Sequence, residues 1–160
     1  MGEMMAIVDA CIEAGHPVAW GTDVSEKGFS RQKAIAVIPE VVEKNTIGSD
    51  AEHWGKLSDA EKQAMINNLE GPMKEKTITQ EMRQEAYDNY QTTDDHGMVI
   101  VGTAVDQAGN PFYKVQNSWG DNGPYKGFYY FSRPFVEYKT MDIMVNKNLI
   151  PKDIKKKMGL

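Results

Sequence analysis

Cysteine is nearly missing from this sequence: Cys11 is the single example in 160 residues. One thiol excludes an internal disulfide framework and any cysteine-rich zinc site. Histidine is scarce too, at His16, His53 and His96. None of the three pairs with another His, Cys or Glu at metal-ligand spacing on an expected helix, so neither a metal nor any other cofactor is expected. No window approaches the ~18 continuous apolar residues of a membrane helix. The opening Met1-Gly2-Glu3-Met4-Met5 lacks the basic stretch and long apolar run of a signal peptide. Positive charge is in the minority. The 18 Lys and Arg against 23 Asp and Glu leave a net charge of −5, which argues against nucleic acid as the main partner. There is no repeat and no low-complexity segment.

What remains is an ordinary folded-protein composition, 41% apolar and 26% charged. A chain of this length can bury roughly 70% of its unfolded surface in one domain. Residues 3–14 read as a helix, with Met4, Met5, Ile7, Val8, Cys11 and Ile12 on one face and Gly15 as its stop. Pro17 to Gly21 reads as a short strand and Ser25 to Ser30 as turns. Residues 31–44 carry a helical pattern that Pro39 interrupts. Ser58 and Glu61 form a capping box, and the helix it opens runs toward Leu69 with Ala64, Met65 and Leu69 on one side. Residues 79–90 form a third helix, with Met82, Ala86 and Tyr90 four apart.

After residue 95 the pattern changes. Met98 to Thr103 is a nearly continuous apolar run, as in a strand buried on both faces. A turn at Asp106 to Asn110 leads into alternating Phe112 to Asn117, so the two runs should pair as an antiparallel hairpin. Gly127 to Phe131 and Met141 to Val145 are further strands, and Pro151 opens a basic helix from Lys152 to Met158. Helices first and then a small antiparallel sheet define the α+β class.

His96 follows Asp94-Asp95 and directly precedes the apolar strand. Asn117-Ser118-Trp119-Gly120 comes at the end of the next strand. Paired as a hairpin, the two runs bring His96 and Asn117 side by side. The asparagine carbonyl could then accept the imidazole N–H and fix the ring's tautomer, as a general base requires. Trp119 could cover that bond and exclude water. Spacing by itself leaves a plainer reading open, since His before a strand and Asn after one are common turn residues.

The combined pattern narrows the choice. His96-Gly97-Met98 before an apolar strand, then Tyr113 to Gly120, then Gly127-Phe128-Tyr129, resembles the second half of a papain-like cysteine peptidase. Gly15 to Val24 and Asp142 to Pro151 resemble segments of the bleomycin hydrolase and aminopeptidase C branch. The resemblance implies that 1–160 is the C-terminal portion of such a peptidase, with 31–78 a weakly matching insertion. It implies that His96 forms the ion pair with a catalytic thiolate and protonates the leaving amine, that Asn117 orients the ring, and that Trp119 shields the pair.

The nucleophile of that family lies upstream of the histidine, at the start of a helix. Cys11 sits late in its helix and lacks that context, so it reads as a small buried apolar side chain. The expectation is therefore a chain inactive without a missing N-terminal catalytic half. Two origins fit: a fragment of a thiol aminopeptidase, or a non-catalytic interaction or inhibitory module with a peptidase-derived fold. Peptide is the expected substrate of the intact enzyme. Self-association through the surface that normally meets the missing half is the expected behaviour of this chain. In the branch the C-terminal carboxylate meets the substrate's amino group. This chain stops soon after Pro151, which leaves aminopeptidase and endopeptidase action both open. A cytoplasmic location is what the branch implies.

Overall fold

A computed structural model of the chain describes residues 1–40 and 57–160. His53 and the second part of the 31–44 pattern lie outside these residues. Helix α1 (Gly2–Glu13) follows from the apolar stripe and buries Met5, Ile7, Val8 and Cys11. Gly15 ends it at φ +75°, a left-handed conformation glycine enters without strain, and the His16 N–H then closes back on the Cys11 carbonyl. Strand β1 (Val18–Thr22) comes next, then the two-residue strands β2 (Phe29–Ser30) and β3 (Ile35–Ala36).

Residues 31–40 are not helical, which corrects the sequence reading of that stretch. Ala34 takes φ +50°, Ala36 to Pro39 are buried one after another, and β3 pairs parallel to a later strand. A segment buried on every side has no solvent face to leave a helix exposed, and Pro39 forbids the helical continuation.

Helix α2 (Asp59–Asn67) carries the expected capping box: Ser58 Oγ accepts from Glu61 N–H, and the Glu61 carboxylate accepts from Ser58 N–H. Its buried contact is Ile66, against Val37 and Phe112, while Ala64 and Met65 face solvent. The expected face was therefore one position off. Helix α3 (Gln80–Asp88) starts at Thr79, whose hydroxyl accepts from Met82 N–H, and buries Ala86. Tyr90 falls past its end, left-handed and 83% exposed.

Strands β4 (His96–Val105) and β5 (Pro111–Gln116) form the expected antiparallel hairpin. Asp106 closes its turn by accepting from the backbone of Ala108 and Asn110. Strand β6 (Phe128–Ser132) adds to β5, helix α4 (Arg133–Lys139) follows, and strand β7 (Thr140–Met144) returns beside β1. A short 3-10 turn (Lys147–Leu149) leads to α5 (Lys152–Met158). The sheet order is β2-β3-β6-β5-β4-β1-β7. Among the described residues this is an α+β fold of five helices and one seven-stranded sheet.

One face of the sheet holds the core. Trp20 meets Phe131 edge-on at 4.9 Å, and Phe29 stacks on Phe131 and Tyr129. Truncating an aromatic at such a centre costs about 3–5 kcal/mol. β4 is buried on this face only, through Met98 and Ile100, whereas Val101 on the other face is 37% exposed. Its continuous apolar run had suggested burial on both faces. The strand register explains the difference: Val99 lines up with Ala19, and Ala19 with Met144, as an outward row that no described element covers.

The segment 72–78 is tied to the sheet through Glu75. It forms a bridge with Pro39, and its carboxyl oxygen accepts from Ile38 N–H at 2.6 Å and from Ser132 Oγ. Ser132 Oγ in turn accepts from Phe135 N–H and caps α4. Burial pushes the Glu75 pKa from 4.5 up to about 7, only partly offset by its two hydrogen bonds. A folded pKa above the unfolded one stabilises the fold fully below the unfolded value and loses that contribution as pH rises through the folded value. Conformational stability should therefore fall between about pH 4.5 and 7, by on the order of 2 kcal/mol. Glu75→Gln keeps both acceptor contacts and should flatten this dependence in urea titrations run across that range.

Candidate active site

Two strand ends build the site. His96 is the first residue of β4 and pairs across to Thr22 of β1. Asn117 is the first residue beyond β5, where its N–H donates to the Gly127 carbonyl at 3.0 Å. Because β4 and β5 are hydrogen-bonded neighbours, these two ends lie together. His96 Nε2 is 2.9 Å from Asn117 Oδ1, across 21 residues of sequence.

That contact has a chemical consequence. A carbonyl oxygen only accepts, so Nε2 carries the proton and the neutral ring keeps its lone pair on Nδ1. No described residue hydrogen-bonds Nδ1. The ring therefore offers a basic nitrogen on the side away from Asn117. Asn117 is 7% exposed, and its Nδ2 is buried without a partner among the described residues. The imidazole thus satisfies the amide's oxygen, while its donor stays unpaired among the described residues.

Trp119 lies over the pair, its ring centroid 4.5 Å from that of His96 at an interplanar angle of 35°. Three groups hold the indole: Phe29 and Tyr129 approach edgewise at 6.1 Å, and the Arg31 guanidinium sits 4.1 Å from its centroid. The loop carrying Trp119 is closed by Asn122 Nδ2 donating to the Trp119 carbonyl and by Gly127 N–H donating to Asn122. Gly127 has φ +83°, and a Cβ there would lie 2.4 Å from the Gly120 carbonyl oxygen. No other residue fits the point where the loop meets β6.

Beyond Asn117 a cleft of about 430 Å³ runs across the outer face of β4, β1 and β7, past Gly97, Ala19 and Gly21 to Asp142 and Met144. Gly21 leaves the room that the Asp142 carboxylate occupies. His16 is exposed just past α1, away from this group. No three His, Cys, Asp or Glu side chains among the described residues are placed to hold a metal ion.

Cys11 is fully buried in the core, on the inner face of α1. Burial pushes its thiol pKa up, the opposite of what a nucleophilic thiolate needs. Sequence reading did not find Arg31, because it reaches Trp119 from a turn far away in the chain and carries no local motif.

The fold has solved relatives. The crystal structure of PepW from Lactobacillus rhamnosis aligns over 99% of this chain and 30% of its own, with a TM-score of 0.61 and 21% identity. That likeness places the chain in the papain-like fold class. The pattern of the peptidase C1-like family matches residues 60–159. Aminopeptidase C of Lactobacillus helveticus is 28% identical over 74 residues, 46% of this chain and 16% of that enzyme. Aminopeptidase G of Lactobacillus delbrueckii subsp. lactis is 34% identical over 58 residues, 36% of this chain and 13% of that enzyme. The chain therefore belongs to the peptidase C1-like family, on its aminopeptidase C branch, and corresponds to the C-terminal portion of those enzymes. The matched stretch covers about a sixth or less of the length of these curated relatives, and the whole chain 30% of PepW.

The burial of Cys11 gives a direct expectation. A thiol-directed chromogenic disulfide should leave Cys11 unmodified in the native protein at neutral pH and label it stoichiometrically in denaturant. Rapid native labelling would show that α1 opens readily.

Proposed function

We propose that this chain is the histidine- and asparagine-bearing part of a cysteine aminopeptidase, completed by a nucleophilic cysteine from outside the sequence. The observation that carries the reading is the 2.9 Å contact between His96 Nε2 and Asn117 Oδ1. With Nε2–H held by Asn117, Nδ1 accepts the proton of an approaching thiol and leaves a thiolate–imidazolium pair. The thiolate adds to the scissile carbonyl. The imidazolium then gives its proton to the leaving amine, and the acyl-enzyme is hydrolysed by water that the same nitrogen deprotonates. Asn117 keeps the ring facing the reacting atoms throughout, and Trp119 keeps water from competing for the Nε2–H bond. The relatives are named aminopeptidases, which supports removal of N-terminal residues from peptides as the activity of the completed enzyme.

The test is complementation. Co-expressing the chain with an upstream peptidase half that carries the cysteine should yield turnover of an aminoacyl fluorogenic substrate. His96→Ala should lower kcat by about 10²–10⁴-fold, the usual contribution of a general acid–base group. Asn117→Ala should lower it less, with the ring still present but unfixed. Turnover indifferent to His96→Ala would overturn the reading. The single buried thiol favours a second reading, a non-catalytic module; stable binding of the upstream half with no turnover would support that instead.

We also propose that the uncovered row of Ala19, Val99 and Met144, with Val101 beside it, packs on a second copy when the chain is isolated. Sedimentation should show concentration-dependent dimers, and Val101→Asp should shift them to monomer without loss of the fold. A wild-type chain that stays monomeric at high concentration would remove this proposal.

A further inference from the structure

Lys139 is the last residue of α4 and is 3% exposed, an unusual place for an ammonium. Its partners explain why it is there. Nζ donates to the Gln91 carbonyl at 3.0 Å and to Thr92 Oγ1 at 3.1 Å. It lies 3.4 Å from the Glu26 carboxylate and 3.9 Å from that of Asp23, over the ring of Tyr138 at 4.9 Å. Asp23, itself 1% exposed, accepts from Thr93 N–H with Oδ2, the oxygen nearest the ammonium, and from Ser25 with Oδ1. The backbone carbonyl of Lys139 accepts from Thr22 Oγ1 and from Asp23 N–H.

These bonds converge on one element. Residues 91–95 are the approach to β4, and His96 is the next residue. Lys139 grips Gln91 and Thr92, Asp23 grips Thr93, and Asp95 is pinned at both its N–H, by the Thr22 carbonyl, and its carboxylate, by Val24 N–H. Thr22 is also the register partner of His96. The Lys139 side chain therefore sets the path of the chain into His96, while its carbonyl sets the strand that His96 pairs with. None of these residues hydrogen-bonds the imidazole, whose partner among the described residues is Asn117 Oδ1.

We infer that Lys139 is a positioning residue for His96, its buried ammonium fixing the 91–95 approach so that the imidazole stays on Asn117. As a step in catalysis the inference rests on the function proposed above, but its test does not need turnover. The full chain is labelled with 15N-histidine, and long-range proton–nitrogen correlations read the His96 tautomer. Ring N–H exchange reads how firmly the Asn117 bond is held. The wild type should show the Nε2–H tautomer and slow exchange. Lys139→Met should mix the tautomers and quicken exchange at least about tenfold, with sheet signals preserved, and Lys139→Arg should recover the wild-type pattern. A folded Lys139→Met protein with unchanged His96 signals overturns the inference. Should that variant fail to fold, Thr92→Val removes one contact of the ammonium at nearly constant volume. It should loosen His96 in the same direction, and an unchanged ring there overturns the inference equally. Absence of turnover in complementation would count against the proposed function and leave this result standing.

Discussion

The register of β1 against β4 is the constraint on which the rest depends. β1 lies between β4 and β7, so it is hydrogen-bonded on both edges. Trp20 must face the core to reach Phe131, and that choice sets the parity of its neighbours. Thr22 then falls opposite His96, Gly21 opposite both Gly97 and Asp142, and Ala19 in the outward row. A slip of one residue would turn Trp20 to solvent and carry Thr22 away from His96. The cost of exposing the indole is what holds the polar site in place.

Around that register the fold uses buried polar groups as ties between segments far apart in sequence. Trp20 Nε1–H donates to Thr140 Oγ1, which donates onward to the Val136 carbonyl. The Arg83 guanidinium reaches from α3 to the carbonyls of Glu137, Tyr138 and Thr140, where α4 ends and its last carbonyls lack helical partners. Tyr113, Asp9 and Arg133 form a third such group, joining β5, α1 and α4 on the core side of the sheet. Desolvating these groups is unfavourable unless every partner is in position, so they discriminate against near-native arrangements more than they add net stability.

Much of the architecture was legible in the sequence. The stripe from Met4 to Ile12, the Ser58–Glu61 capping box, the hairpin turn at Asp106 and the alternation of β5 are local signals with local causes, and the structure follows them. The two-residue strands β2 and β3 were not legible, because pairing partners rather than their own pattern make them strands. Helix α4 was missed because seven residues span only two turns, too few to display a period, and one of its buried positions is the charged Lys139. The run from Met98 to Thr103 misled on burial, since an apolar strand does not record whether its outer face is covered.

By itself the sequence determined which segments fold locally, that its single thiol sits on an apolar helical face, and that His96 and Asn117 end adjacent runs. The tertiary structure decided what those residues meet. Oδ1 of Asn117 on Nε2 of His96 follows from the pairing of the consecutive strands β4 and β5, whereas Arg31 on Trp119 and Lys139 behind the approach to β4 depend on a sheet that also joins β3 to β6 and sets β1 between β4 and β7. The physical reason is range. Helix caps and turns are satisfied within a few residues of backbone. A buried charge or a fixed imidazole needs partners that only the closed sheet brings within hydrogen-bonding distance.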